Sequence, residues 1–226
     1  MLAGTPGATP GPLLFVWHGT GGNGETGLRQ LPSTVLDTVV AIGGLVVSPS
    51  DDGTEREGPS PNGVWYEGSD LEYADHIVAC AVRDHNIDPA RIYTTGCSAG
   101  GLMASAFALK RSSYIAAAAP NSGGIANPRE LAFQDPSRVP AIMAMHGGED
   151  DTVIVNFGET SARLLDFVTA AQGFGVECNH QSGHCGASEA LYEAAWEFFE
   201  AHPFGTKPSP YADGLPGDFP AYCEIW

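Results

Sequence analysis

The stretch Gly96-Cys97-Ser98-Ala99-Gly100 constrains this 226-residue chain more than any other. It lies between a β-type run, Arg91–Thr95, and an Ala-rich helical pattern over Ala99–Lys110. A chain that passes from strand to helix in so few residues must turn sharply. The positions two before and two after Ser98 must then lack bulky side chains, and both are glycine. Such a turn exposes the serine at a strand end, over a helix N-terminus that favours developing negative charge. A chain with 29 glycines can also produce this pattern as an ordinary turn. The strand–turn–helix placement argues instead for a nucleophile.

The rest of the chain alternates in the same way. Leu13–Trp17, Leu45–Ser48, Arg91–Thr95, Ile115–Ala119, Ala141–Met145 and Phe174–Cys178 read as strands, the last of them closing the series. Ser33–Ile42, Asp70–His85, Ala99–Lys110, Asn156–Ala171 and Ala187–His202 read as helices. The last carries Leu191, Ala194, Ala195, Phe198 and Phe199 on one face. Strands alternating with helices predict a mostly parallel sheet covered on both faces. With the nucleophile turn, the expected fold class is α/β, an α/β-hydrolase, in a single domain spanning residues 1–226. The tail from Pro203 to Trp226 is expected to wrap the surface.

Charge removes some classes of partner. The formal net charge is −17, with ten Lys plus Arg. No basic face is visible that could neutralise phosphates, so a nucleic-acid partner is excluded. No apolar stretch reaches the ~18–20 residues of a membrane span, so membrane insertion is not expected. The acidity also serves simply to keep an extracellular or salt-tolerant protein in solution. The five cysteines contain no CxxC pair and suggest no zinc site, so no metal and no cofactor is expected.

A nucleophilic serine needs a neutral imidazole and a carboxylate to orient it, in the chain order Ser, acid, His. His184, in a Gly-His-Cys-Gly loop between the last strand and the last helix, is the expected base, with His180 as the alternative. His146 comes before the acid candidates and reads as a loop-former; His202 reads as structural. Glu149, Asp150 and Asp151 follow the Ala141–Met145 strand. The spacing His-Gly-x-x-Asp-x-x-Val, on His146, Gly147, Asp150 and Val153, selects Asp150 as the acid, with Asp151 as the alternative. For the oxyanion, the expected backbone donors are Ala99 and, in the His18–Gly22 loop, Thr20 or else Gly21. That loop lacks the GK[ST] ending of a P-loop. Trp65 and Tyr66, after the second strand, either stack on substrate or pack in the core. Asn121 and Ser122 border the same edge as substrate contacts.

Cys97 adjoins Ser98 and Cys185 adjoins His184. If serine and histidine meet, their neighbours come within disulfide range, Cα atoms ~4.4–6.8 Å apart. Such a bridge implies an oxidising compartment. Cys178 and Cys223 are the second expected pair, leaving Cys80 as a buried free thiol.

These residues together resemble the secreted polyhydroxybutyrate depolymerase and feruloyl/acetylxylan esterase group of α/β-hydrolases. The likeness runs from Leu13 to about Gly205. It rests on Leu-Phe-Val-Trp-His-Gly-Thr-Gly-Gly (14–22), Asp-Pro-Ala-Arg-Ile-Tyr (88–93), Thr-Gly-Cys-Ser-Ala-Gly-Gly (95–101), His146-Gly147 with Asp150, and Gly183-His184 with Trp196, Phe198 and Phe199. The resemblance implies a secreted serine esterase whose Cys-Ser and His-Cys cysteines are bonded. Its substrate would be a polyester such as poly(3-hydroxybutyrate), a synthetic aromatic polyester, or a feruloyl or acetyl ester of plant cell walls. The expected partner is thus an ester, polymeric by preference, and the expected state a monomer. Met1–Pro12 lacks a basic-then-apolar leader, and the mature chain is expected to follow a removed one. Two departures stand out. The usual N-terminal strands are reduced, to within Ala3–Pro12, and only Asn121–Pro140 could form a small cover. Competing readings are a non-catalytic binding module on the same fold, and a serine peptidase or acyltransferase.

Overall fold

All seven residues of Gly11–Trp17 are buried, which requires a covered sheet on both sides of that strand. The computed structural model describes residues 2–5, 7–50, 64–127 and 132–226. Its elements in chain order are β1 (Leu2–Ala3), β2 (Gly11–Trp17), α1 (Gly24–Leu28), α2 (Ser33–Ala41), β3 (Leu45–Val47), α3 (Ser69–Asp84), β4 (Ile87–Cys97), α4 (Ala99–Lys110), β5 (Ala117–Asn121), β6 (Ala141–His146), β7 (Thr152–Val153), β8 (Val155–Asn156), α5 (Phe157–Ala170), β9 (Gly175–Asn179), α6 (Glu189–Ala201) and β10 (Cys223–Ile225).

One eight-stranded sheet runs in the order β1-β3-β2-β4-β5-β6-β9-β10. The six inner strands are parallel, and β1 and β10 close the edges antiparallel. Alternate residues of β2 serve opposite faces, as the strand period of two demands. Leu13, Phe15 and Trp17 pack with α3, α4 and α5. Leu14 and Val16 pack with α2 and α6. Helix α4 is buried almost all round, from Ala99 to Leu109, so the element behind Ser98 is held firmly in the core.

Phe174–Cys178, expected to close the sheet, is followed by β10. Three residues with no apolar run form this strand because they are tied down. Cys223 lies opposite Cys178 and is bonded to it. The backbone N–H of Trp226 donates to Gly175 (3.0 Å), and its indole N–H to Asp166 (3.0 Å). The tail before β10 packs as well as covers: Phe219 is buried edge-on to Tyr211. His202 lies just past the end of α6. Its Nδ1 donates to the Phe198 carbonyl and its Nε2 accepts from Ser209, both at 2.7 Å. Burial lowers its pKa, so it stays neutral and structural. Cys80 is unbonded but exposed, contrary to the buried thiol expected, because it falls on the outer face of α3. The described parts of Asn121–Pro140 run along α4 and α5. Ile125 N–H donates to Thr160 (2.9 Å), and Phe133 stacks on Phe167.

Candidate active site

The carboxyl ends of β2, β4, β5, β6 and β9 lie side by side along one edge, where open parallel sheets gather their functional groups. They deliver His18, Ser98, Ser122, Gly147 and His180 respectively.

Ser98 leaves β4 with φ +59° and caps α4. Its N–H donates to the Asn121 carbonyl at 3.1 Å, which fixes the turn against β5. The glycines of the motif are demanded by packing. A Cβ at Gly96 would lie 2.5 Å from the Trp17 carbonyl oxygen, and one at Gly100 would overlap that same oxygen. Any side chain at either position would push the turn off the end of β2. The glycine loop after β2 lies against the serine: a Cβ at Gly19 would lie 3.5 Å from the Ser98 Cβ. Ala99 opens α4, and Thr20 is exposed at the loop.

His184 is held by Asp151, not by Asp150. Its Nδ1 lies 2.7 Å from Asp151 Oδ1, and Phe157 covers one ring face at 5.0 Å. The reason is a turn that the spacing argument did not resolve. Asp151 N–H donates to the Gly148 carbonyl at 3.1 Å, with Gly148 at φ +85°. The turn leaves Glu149 and Asp150 outside in solvent and swings Asp151 inward, where it is fully buried. There its Oδ2 accepts from the Gly147 N–H (2.9 Å) and the Ser122 hydroxyl (2.7 Å). A carboxylate oxygen in this setting only accepts, so Nδ1 of His184 carries the proton and Nε2 carries the lone pair.

The other histidines spend Nδ1 differently. His146 Nδ1 accepts from Gly148 N–H (3.2 Å), and its Nε2 donates to Glu177 (3.0 Å). His180 Nδ1 accepts from Ser182 N–H (3.2 Å), and its Nε2 faces Asn121 Oδ1 at 3.4 Å. Burial lowers the pKa of His180. Both are buried, and the ring hydrogen bonds given for each go to other partners than an aspartate.

Cys97 and Cys185 are bonded, with Cα atoms 5.8 Å apart across 88 positions of sequence. A ring nitrogen of His184 lies within 4.8 Å of both sulfurs. The histidine loop is thus tied to the residue beside Ser98. With both thiols consumed, this group holds no metal. In the chain-entropy account a loop this long contributes about 4.5 kcal/mol. The Cys97→Ala/Cys185→Ala double variant should therefore lose that much unfolding free energy in urea. A loss under about 1 kcal/mol would mean that the loop is already ordered without the bond.

Of the four candidate substrate contacts, Trp65 takes the core place that was its alternative, and Asn121 and Ser122 serve other ends. Trp65 is 1% exposed, packs edge-on against Trp17 at 4.9 Å, and donates from its indole to the His18 carbonyl (3.0 Å). Asn121 is buried, its amide donating to the Tyr192 hydroxyl at 3.2 Å. Ser122 is buried too, and its hydroxyl accepts from Cys185 N–H (2.9 Å) while donating to Asp151. It joins acid to histidine loop, a role that the sequence hides because it depends on contacts across 29 and 63 positions. Tyr66 is half-buried, its N–H bonded to Asp70. Asn62 and Gly63, which precede this pair, lie outside the described residues.

Ser98, Ser122 and Cys185 all have positive φ, at +59°, +44° and +58°. Each such non-glycine residue costs about 1–2 kcal/mol. Three of them meet on one strand-end edge, a concentration of backbone strain of the kind that functional sites hold.

No family model and no curated protein matches this sequence. Solved structures do share its fold. Native pOPH superposes with a TM-score of 0.77 at 20% identity, over 100% of this chain and 89% of that one. The complex of a serine-to-alanine variant of pOPH with pNPB gives 0.76 at 17%, over 100% and 88%. The Bacillus cereus carboxylesterase gives 0.64 at 17%, over 88% and 92%. Together with the sheet order and the strand-end turn, these establish the α/β-hydrolase fold.

Proposed function

We propose that this chain is a serine-dependent carboxylic-ester hydrolase. The observation that carries the reading is the oriented imidazole: His184 is fixed by a buried aspartate on one side and disulfide-tied to the serine turn on the other. The neighbouring esterase structures are in keeping with it. In the proposed reaction Ser98 Oγ attacks the ester carbonyl carbon and its proton passes to His184 Nε2. The carbonyl π electrons move onto oxygen, which the N–H groups of Ala99 and Thr20 receive. Collapse expels the alcohol, which takes the proton from Nε2. Water, deprotonated by the same nitrogen, then releases the acid and restores Ser98.

The substrate we infer is a neutral, bulky or polymeric ester. The described parts of Asn121–Pro140 pack against α4 and α5, which supports an open strand-end edge. The charge of −17 disfavours polyanions. Poly(3-hydroxybutyrate) is the first candidate polymer, from the resemblance in the quoted motifs. Two disulfides suit an oxidising, extracellular setting, and no described helix is long and apolar enough to cross a membrane.

The test is a panel of poly(3-hydroxybutyrate), an aromatic polyester, methyl ferulate and acetylated xylan, run beside labelling by a fluorophosphonate. Hydrolysis within the panel and a label mapped to Ser98 are expected. A chain that hydrolyses none of the four, or is labelled elsewhere, is not this enzyme.

A further inference from the structure

A cavity of about 530 Å³ opens at the edge of the sheet opposite Ser98. Ile115 and Ala116 just before β5, Ala141 at the start of β6 and Phe174 just before β9 line its inner side. These strands run parallel to β4, so their amino ends lie away from the carboxyl ends that carry the serine turn. The tail just past α6 forms the other side and is held in place. Phe204 N–H donates to the Ala90 carbonyl (2.7 Å), and the Ser209 hydroxyl to His202 Nε2 (2.7 Å). A cavity of this size takes a small organic molecule.

Its charge is the reverse of the chain's. Acids make up 27 of the 226 residues, yet among the described residues no Asp or Glu lines the cavity. Two of its lining residues, Arg138 and Lys207, are cations. Elsewhere Arg29, Arg83, Arg91, Lys110 and Arg111 are ion-paired at 2.5 to 3.5 Å. Arg163 donates to the Ile125 carbonyl. Among the described residues, Arg138 and Lys207 are the cations left with no ion pair and no side-chain hydrogen bond, and one cavity holds both. The Arg138 guanidinium lies over the Phe204 ring, 5.3 Å from its centre. A Cβ at Gly205, also on the lining, would lie 3.5 Å from its Nη1. The ring thus holds the guanidinium at the cavity while its N–H donors stay unspent.

The nearest acid in sequence is Asp135. Its carboxylate accepts from the Ser137 hydroxyl (2.7 Å) and N–H (2.9 Å), and these bonds, with the charge of Arg138, lower its pKa. It matches part of the arginine's charge and none of its donors. Charges farther off count for little, because the Debye length at physiological salt is about 8 Å. The local cations, not the −17 of the whole chain, then set the potential in the cavity. Much of the remaining lining is apolar or aromatic: Val139, Pro140, Phe204, and Phe174 stacked on His202 at 5.4 Å.

We propose that this cavity binds a small organic monoanion, a carboxylate on an apolar or aromatic body. Arg138 and Lys207 take the carboxylate, and the Phe174 and Phe204 side takes the body. The site stands apart from the Ser98 edge and does not rest on the esterase reading.

Benzoate is the probe, with benzamide as its neutral counterpart and inorganic phosphate as an anion without the body. Binding to the whole chain is read by calorimetry at one ionic strength. Benzoate is expected to saturate with a Kd of about 1 mM or lower, and benzamide and phosphate to bind at least about tenfold more weakly. The Arg138→Gln/Lys207→Gln double variant should raise the benzoate Kd at least about tenfold and leave benzamide within about twofold. Arg83→Gln removes an exposed cation that does not line the cavity, and should leave benzoate within about twofold. Arg138 and Lys207 are exposed, so the double variant should melt within about 2 °C of the wild type. Overturning results are no saturation by benzoate, benzamide or phosphate binding as tightly, or a benzoate Kd that the double variant leaves unmoved or that Arg83→Gln raises equally. Hydrolysis of p-nitrophenyl acetate by the wild type is read separately, so a failure of the esterase reading shows there and not in the binding curves.

Discussion

Ser98→Ala is expected to lower kcat about 10⁵–10⁶-fold on any ester the wild type hydrolyses, with KM little changed. Without the Oγ no acyl-enzyme forms, and only the oxyanion donors and substrate binding remain to assist direct attack by water. The fold should not notice. Alanine keeps the Cβ, so the φ of +59° is neither relieved nor worsened. The N–H bond to Asn121 and the capping carbonyl bond to Leu102 come from the backbone and persist. The melting temperature should move by no more than about 2 °C. The pair of readouts matters: a large fall in kcat with an unmoved melting curve assigns the serine to chemistry. A loss under 100-fold would place the nucleophile elsewhere.

Strands β2, β3 and β6 can be read from sequence because they are buried on both faces and so appear as apolar runs. Helix α4 spans Ala99–Lys110, the bounds that its Ala-rich pattern predicts. Shorter elements carry no such pattern. β1, β7 and β8 have two residues each, and β10 has three. Their pairing comes from what lies across from them, in β10's case from the Cys178–Cys223 bond. Local sequence holds no record of that.

The site divides along the same line. Ser98 lies in the turn between β4 and α4 and His184 in the loop between β9 and α6, and the cysteines beside them make the approach of these two segments readable before any coordinates. Substrate contacts are not readable in this way. Trp65 and Asn121 follow strands on the correct edge, but position along the chain does not say whether a side chain points into the cleft or beneath it. Trp65 turns under the His18 loop because its indole finds a carbonyl there. Ser122 turns under the histidine because Asp151 and Cys185 both bond to it.

Asp151→Asn is expected to cut kcat about 10⁴-fold, while Asp150→Asn leaves it within about twofold. The difference follows from which proton the imidazole holds. Gly147 N–H is a backbone donor that cannot be withdrawn, and it points at Oδ2 of residue 151. An asparagine there must therefore set its carbonyl oxygen toward Gly147 and Ser122, leaving its NH₂ to face His184 Nδ1. A donor in that position forces Nδ1 to accept, which moves the ring proton to Nε2. The nitrogen that should receive the serine proton is then already protonated. Asp150 is exposed, and its substitution changes one solvated charge. Stability separates less sharply, because the introduced asparagine keeps the bonds to Gly147 and Ser122. The measurement is kcat for both variants on one soluble ester, with melting curves as the control. Equal losses in the two, or a larger loss for Asp150→Asn, would return the role to the residue that the His-Gly-x-x-Asp spacing selects and would require the Gly148–Asp151 turn to rearrange in the working enzyme.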